Sequence, residues 1–210
     1  MAVRKNKEDK FWDWFSNNHS QFLFVGQVDD LEKERLLNEL FKNLQAYNKG
    51  LFFQIGGHPD GKQELIITPE GDRTLFPVTE KLVAAAPPLK DWNIIAFKQA
   101  MGFDFVIDYE GTSLDPRNMW FVELQSSDNP DFFGLRIGTY DFDPAKERSV
   151  LSATYLILDT ILGERSCVLD VHYVEVVQLP IDPQENGFMP LVELPEYIAW
   201  AKRNKKENLS

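Results

Sequence analysis

LFFQIGGHPDGKQELIIT (residues 51–68) contains two apolar runs, LFFQI and ELIIT, separated by a turn. The turn holds Asp60-Gly61, and glycine readily takes the positive φ that tight hairpin turns require. Pro69 and Gly71 close the second run. Because β-branched runs bounded by turn residues are typical of strands, this stretch predicts a β-hairpin.

The same stretch is one residue short of a phosphate-binding loop, since Gly56 to Gln63 nearly match G-x-x-x-x-G-K-[ST]. The last position of such a loop carries a hydroxyl that binds magnesium, and here it is the amide of Gln63. The loop must also lead into a helix whose N–H groups point at the phosphates, whereas a strand pattern follows here. We therefore favour the hairpin over a nucleotide site.

Amphipathic patterns predict two helices before the hairpin, at 8–18 and 30–47, which form an N-terminal helical pair over residues 8–48. Later helices are predicted at 75–86, at 143–162 and in a C-terminal segment, 194–206. Asp143 is the expected N-cap of the long helix, with Pro144 at its first position and Gly163 after its end. Strands are predicted at 51–55, 64–68, 92–97, 103–109, 119–125, 134–141 and 167–178.

The order of these elements repeats. Residues 50–98 are predicted to form strand, strand, helix and strand in that order. Residues 119–178, which lie within a strand-rich half at 103–178, show the same order. This predicts two ββαβ pseudo-repeats. No linker rich in Gly, Ser or Pro separates the halves, so we expect one domain over 1–210 with one continuous sheet. Short connections favour antiparallel pairing, and the predicted fold class is α+β, a mainly antiparallel sheet with helices packed on a face.

The composition indicates a folded cytoplasmic protein. The 210 residues are 43% apolar, and no apolar stretch is long enough to span a bilayer. The first ten residues lack the apolar core of a signal peptide. Cys167 is the single cysteine, which excludes an internal disulfide and favours a reducing cytoplasm. We interpret Cys167 as a small buried residue in the last strand.

The net charge of −11 is unevenly distributed. Residues 1–10 carry four basic and two acidic side chains, and residues 202–210 carry four basic and one acidic, so the two ends sum to +5 and the body between them is −16. A body of that charge repels a phosphate backbone, which argues against nucleic acid as the ligand. A basic protein partner is compatible with it.

Polar residues alternate with apolar ones in several predicted strands. If their polar faces coincide, one side of the sheet offers acid, base and hydrogen-bonding groups, which is typical of a ligand-binding or catalytic face. The alternative is an ordinary solvated face on which Arg136 pairs with a carboxylate. The residues of this predicted face are Asp104, Asp108, Glu123, Arg136, Tyr140, Asp170 and His172.

Metal and cofactor chemistry have little support in the sequence. The three histidines, His19, His58 and His172, lack metal-ligand spacing. His58 with Asp60, or Asp141 with Asp143, could supply ligands, but Asp60 is better explained as a turn residue and Asp143 as a helix cap. The serines lie outside any G-x-S-x-G motif. We expect no cofactor and no metal site.

The aromatic segment FWDWF (11–15) lies on the first predicted helix. Trp12 and Trp14 could dock a partner or a second monomer, which makes a homodimer one hypothesis. The interpretation that we favour is that this cluster packs the helix against the core.

Four segments together resemble bacterial proteins grouped in domain families of unknown function. They are FWDWF, ELIITPEG, APPLKDWNIIAFK and YLILDTILGE, and the resemblance covers about residues 10–178. It implies a bacterial cytoplasmic α+β domain, and it implies no catalytic residue.

Two functions remain open. The leading hypothesis is a non-enzymatic, acidic protein-binding domain without affinity for nucleic acid or membrane, for example an immunity protein whose acidic surface covers a toxin's basic active site. The alternative is a small-molecule hydrolase that uses His172 with Asp170 or Glu123 on the polar sheet face.

Overall fold

The computed structural model describes residues 6–57, 61–126, 128–129, 132–140 and 142–207, with side chains up to residue 204. These residues form six α-helices and three sheets of mostly antiparallel strands, 46% helical and 22% strand. The predicted α+β fold class is thereby confirmed. The chain divides into two compact units, Met1–Lys98 and Gln99–Ser210, and the single domain over 1–210 stays a prediction.

The N-terminal unit contains a helical pair followed by a ββαβ arrangement. Its elements are α1 (Lys7–Asn18), α2 (Asp30–Tyr47), β1 (Phe52–Gly57), β2 (Gln63–Thr68), α3 (Phe76–Ala84) and β3 (Trp92–Ala96). Strand β1 is antiparallel to β2, and β2 is parallel to β3 because α3 carries the chain back along the sheet. The predicted hairpin is confirmed, and strand β2 follows the turn where a phosphate-binding loop needs a helix.

Large apolar side chains form the core of the N-terminal unit. Phe15 of α1 and Leu40 and Leu44 of α2 are fully buried with Leu65 and Ile67 of β2. The alternation of Leu65 and Ile67 places both on the same sheet face, and the helical pair covers that face.

The C-terminal unit holds a second ββαβ arrangement. Its elements are β4 (Ile107–Tyr109), β5 (Thr112–Leu114), β6 (Trp120–Leu124), β7 (Gly134–Thr139), α4 (Glu147–Leu162), α5 (Glu164–Asp170), β8 (Tyr173–Gln178), β9 (Met189–Pro190) and α6 (Leu194–Glu207). Strand β6 is antiparallel to β7, and β7 is parallel to β8. This repeats the pairing of β1, β2 and β3, so the two predicted pseudo-repeats share one topology.

The main core of this unit lies between its sheet and its helices. Leu135 and Ile137 of β7 are fully buried with Ala153 and Ile157 of α4, and Leu194 of α6 belongs to the same cluster. Asp143 accepts a hydrogen bond from the backbone of Ala145, at 2.9 Å, and so caps a 3₁₀ turn (Pro144–Lys146) that leads into α4. Gly163, with φ of 75°, ends α4 as predicted.

Three sequence predictions are wrong in their details. The described strands form three separate sheets where we expected one. The strand predicted at 103–109 is limited to β4, which pairs with β5 through a turn with positive φ at Glu110 and Gly111. The first residues of the strand predicted at 167–178, including Cys167, belong to helix α5. A short apolar run has no periodicity that distinguishes a strand from a helix.

Candidate functional site

The residues of the predicted polar face do not share one face of a sheet. Arg136 lies opposite Val122 in the ladder, whereas Glu123 lies opposite Leu135, so the two side chains point to opposite sides. Asp108 belongs to the separate β4–β5 hairpin, and Asp170 lies on helix α5. A single catalytic sheet face is therefore wrong, because the predicted strands belong to different sheets and one of them is partly helical.

Arg136 is engaged on the exposed face of β7. Its guanidinium donates to Glu175 of the neighbouring strand β8, and the hydroxyl of Tyr173 donates to the same carboxylate at 3.2 Å. The hydrogen bond from Tyr173 to Glu175 is the main reason why the pKa of Tyr173 is raised. This is the ion pair that the solvated-face interpretation predicted for Arg136.

Glu123 has a different partner, on helix α6. The hydroxyl of Tyr197 donates to Glu123 Oε2 at 2.6 Å. Burial, followed by this hydrogen bond to a carboxylate, raises the pKa of Tyr197 to about 12. Tyr140 lies just after β7 with an exposed ring, and its backbone carbonyl accepts from the side chain of Gln178 at 2.7 Å. Glu123, Arg136 and Tyr140 thus do not converge.

His172 and Asp170 do come together. Both line a pocket of about 250 Å³ in the C-terminal unit. Four apolar residues form its walls, and Asp170, His172 and Lys202 supply its charged and polar groups. The walls are Phe133, Leu169, Ile198 and Ala201.

The orientation of His172 follows from the parallel pairing of β7 with β8. Phe133 and His172 immediately precede these strands, and the backbone N–H of His172 donates to the carbonyl of Phe133 at 2.9 Å. The backbone N–H of Phe133 in turn donates to His172 Nδ1 at 3.1 Å. Because Nδ1 is the acceptor, Nε2 carries the proton of the neutral ring and can donate a hydrogen bond.

Asp170 is held by two donors from different helices. Ser166, one turn earlier on α5, donates its hydroxyl to Asp170 Oδ2 at 2.5 Å, and Lys202 of α6 donates to the same oxygen. The Asp170 side chain is 14% exposed and that of Lys202 is 53% exposed. Within the described part of the chain, Oδ1 of Asp170 has no hydrogen-bond partner.

Ser166 and Lys202 are site residues that sequence reasoning missed. In the sequence, Lys202 is one charge of a basic end, and no pattern predicts a helix or strand for the segment that contains Ser166. A helix over 164–170 would have placed Ser166 and Asp170 one turn apart, on the same side. No sequence signal connects either residue with Lys202.

An acidic hairpin is a second feature of the C-terminal unit. It exposes Asp108 of β4 and Glu110 of the turn, and two residues at the start of α4 bond to the turn. Lys146 Nζ donates to the carbonyl of Gly111 at 2.9 Å, and the hydroxyl of Ser149 donates to Glu110 Oε2 at 2.9 Å.

The negative charge belongs to the C-terminal unit. Residues 1–98 carry 13 basic and 14 acidic side chains, a net charge of −1. Residues 99–210 carry 9 basic and 19 acidic side chains, a net charge of −10. Any electrostatic attraction of a basic partner therefore acts mainly on this unit.

Trp12 and Trp14 lie in the core of the N-terminal unit or against it. Trp12 is 3% exposed, and its indole N–H donates to the carbonyl of Leu82 at 2.8 Å. Trp14 is partly buried and its ring contacts those of Phe15 and Phe22. This is the packing role that we favoured for the aromatic segment, and it leaves Trp12 without an exposed surface for a partner.

Metal and membrane features can be assessed for the described residues only. They contain no group of three or more His, Cys, Asp or Glu side chains that could hold a metal ion. His58, Asp60 and Asp141, which the sequence offered as ligands, lie outside the described residues. No helix in the ranges that the structure covers has both the length and the apolar character needed to cross a bilayer.

Comparisons of the chain with protein-family models, with curated proteins and with solved structures find no match. The resemblance to bacterial families of unknown function therefore stays a prediction, and the function is argued from the chain's own residues.

Proposed function

We propose that the protein is a non-enzymatic binding domain whose C-terminal unit, residues 99–210, recognises a basic protein. The observation that carries this proposal is the net charge of −10 on that unit beside −1 on residues 1–98. A surface of one sign attracts a partner of the opposite sign during diffusional encounter and orients it before contact.

Two local features support a protein partner over a small cation. The acidic hairpin exposes Asp108 and Glu110, and its turn accepts hydrogen bonds from Lys146, just before α4, and from Ser149 of α4. Exposed tyrosines supply the aromatic contacts that protein interfaces favour. These are Tyr140, Tyr155 and Tyr173, with 54%, 44% and 45% of their surface exposed.

A toxin-neutralising immunity protein is one concrete form of this function, because an acidic surface can cover the basic active site of a toxin. We assign the interaction to the cytoplasm and expect no binding of nucleic acid, which the acidic unit repels. A homodimer remains compatible with the proposal.

The test is affinity capture from the native cytoplasm at low and at high salt, followed by titration of the purified partner. A variant neutralises three exposed carboxylates of the C-terminal unit, and a matched variant neutralises three in the N-terminal unit. The first carries Asp108→Asn, Glu185→Gln and Glu196→Gln. The second carries Asp30→Asn, Glu34→Gln and Asp91→Asn.

We expect high salt and the first variant each to weaken binding, the variant by about 3- to 10-fold and mainly through the association rate. The matched variant should bind like the wild type. Binding that is indifferent to salt and to both variants would overturn the proposal.

The hydrolase alternative keeps one supporting observation, the convergence of His172 and Asp170 on one pocket. Its third predicted member, Glu123, is bonded to Tyr197 instead. Hydrolysis of an ester or amide panel that is lost in His172→Ala would favour this alternative over the binding domain.

A further inference from the structure

We propose that the pocket beside Asp170 receives an arginine or lysine side chain of the basic partner, which replaces the protein's own Lys202. This inference rests on the proposed function, because it assumes a basic partner. It adds the point on the surface at which that partner is anchored and the chemistry of the anchor.

The walls of the pocket suit the stem of a long cationic side chain. Phe133, Leu169, Ile198 and Ala201 line it, and its volume is about 250 Å³. Arginine and lysine bury their methylene stems against apolar surface while their charged ends make polar contacts.

Asp170 supplies the matching acceptor. Its side chain is 14% exposed, and Oδ2 already accepts from Ser166 and Lys202. Oδ1 makes no hydrogen bond with any residue that the structure describes. A carboxylate oxygen that accepts from no protein donor can accept a charge-assisted hydrogen bond from a cationic ligand.

Lys202 occupies the position that the partner's cation would take. Its side chain is half exposed, so returning its ammonium to water costs little. A guanidinium that pairs with both oxygens of Asp170 competes with Lys202 for Oδ2, and the two cations also repel each other, so the incoming charge displaces Lys202. Lys202 acts as an internal competitor for the pocket.

His172 distinguishes a peptide from a free amine. Its Nδ1 accepts from the backbone of Phe133, so the donor of this pocket-lining ring is Nε2–H. A peptide carbonyl next to the anchoring side chain can accept this hydrogen bond. Once Lys202 is displaced, a guanidinium can pair with both oxygens of Asp170, so arginine should bind more tightly than lysine.

The experiment titrates the ¹⁵N-labelled full chain with three tripeptides, followed by backbone amide shifts. The probes are acetyl-Gly-X-Gly-amide with X as arginine, lysine or citrulline, an uncharged mimic of arginine. The protein variants are Asp170→Asn, Lys202→Ala and the matched control Arg203→Ala, which removes an equal charge from the next position of α6.

We expect the arginine peptide to shift amides at 166–172 and 198–202, the lysine peptide to do so more weakly, and the citrulline peptide to have no effect. Lys202→Ala should lower the Kd for arginine by about 2- to 5-fold, the fold-change that loss of an exposed ion pair gives. Arg203→Ala should leave the Kd unchanged, and Asp170→Asn should abolish binding.

Equal binding of citrulline and arginine, or weaker binding by Lys202→Ala, would overturn the inference. Where Asp170→Asn does not fold, Ala201→Trp fills the pocket and keeps the carboxylate, and it must abolish the shifts. If the basic partner binds Asp170→Asn like the wild type but still responds to the neutralised carboxylates, the pocket inference fails and the proposed function stands.

Discussion

Asp72 and Asp143 occupy equivalent positions in the two ββαβ arrangements. Each lies four residues after the threonine that ends the central strand, Thr68 or Thr139. Each carboxylate accepts from the backbone N–H two residues later, at 2.9 Å in both cases, and caps a 3₁₀ turn that leads directly into the crossover helix. The two units thus share a local device as well as a topology.

This equivalence predicts a loss of stability on removing either cap, although Asp72 also accepts from the hydroxyl of Thr74 at 2.6 Å. Asp72→Ala and Asp143→Ala should each lower the free energy of unfolding by about 1 kcal/mol, because each leaves a backbone N–H at a helix start without its acceptor. Thermal unfolding followed by circular dichroism measures this. Asp72→Asn and Asp143→Asn keep a side-chain oxygen that can accept the same hydrogen bond, so these variants should lose less stability than the alanine variants. A loss at one position alone would contradict the equivalence.

Trp12 and Trp14 should differ in their contribution to stability. Trp12→Phe removes the hydrogen bond to Leu82 and leaves unfilled volume in the core, and it should cost about 1–3 kcal/mol. Trp14→Phe changes a partly buried ring and should cost less. Urea denaturation of the two variants makes the comparison, and equal losses would argue against the structural role of the Trp12 N–H.

Glu8 should make stability depend on pH in the acid range. It is buried on α1, where Lys81 lies 2.9 Å away and Tyr47 donates a hydrogen bond at 3.1 Å. The hydrogen bond from Lys81 is the largest cause that holds the pKa of Glu8 below its usual value. Because the folded pKa is the lower one, this stabilisation is complete above about pH 4.3 and is lost as the pH falls through the folded value.

Glu8→Gln should therefore destabilise the protein at neutral pH and lose its effect in acid. The measurement is the unfolding temperature of the wild type and the variant across that range, with Glu34→Gln, an exposed carboxylate of α2, as the control. If the difference in unfolding temperature between the wild type and Glu8→Gln is the same at every pH, the role assigned to Glu8 is contradicted.

Tyr197 should respond to its carboxylate partner at alkaline pH. Burial and then the hydrogen bond to Glu123 raise its pKa to about 12. Because the folded pKa is the higher one, the stabilisation is complete below about pH 10 and is lost as the pH rises towards 12. Glu123→Gln removes the negative charge, so the pKa of Tyr197 should fall but remain elevated by burial. Tyrosinate absorbance measures it, with Tyr197→Phe to assign the signal.

The local elements could be predicted from particular residues. The Asp60-Gly61 turn between two apolar runs predicted the β1–β2 hairpin, and Gly163 marked the end of α4. Asp143 and Pro144, predicted to begin this helix, instead begin the 3₁₀ turn that leads into it at Glu147. These signals act over a few residues through φ preferences and caps, so they can be read without knowledge of the rest of the chain.

The segment 167–178 shows where the local pattern predicts the wrong element. Interpreted as one strand, it placed Asp170 and His172 on a common sheet face with Glu123 and Arg136. Helix α5 instead turns Asp170 towards Ser166, and the strand begins only at Tyr173. The apolar residues of this segment fit either structure, and only packing against the rest of the unit selected between them.

The sequence by itself determined the α+β class, the ββαβ order of both units and the acidic character of the chain, because each depends on periodicity, turn residues or composition. Only the tertiary structure determined which residues form the pocket. Its contacts join Asp170 to Lys202 over 32 residues and Phe133 to His172 over 39. Such pairs form only when the sheet register and the packing of α5 and α6 are set, and no local pattern records them.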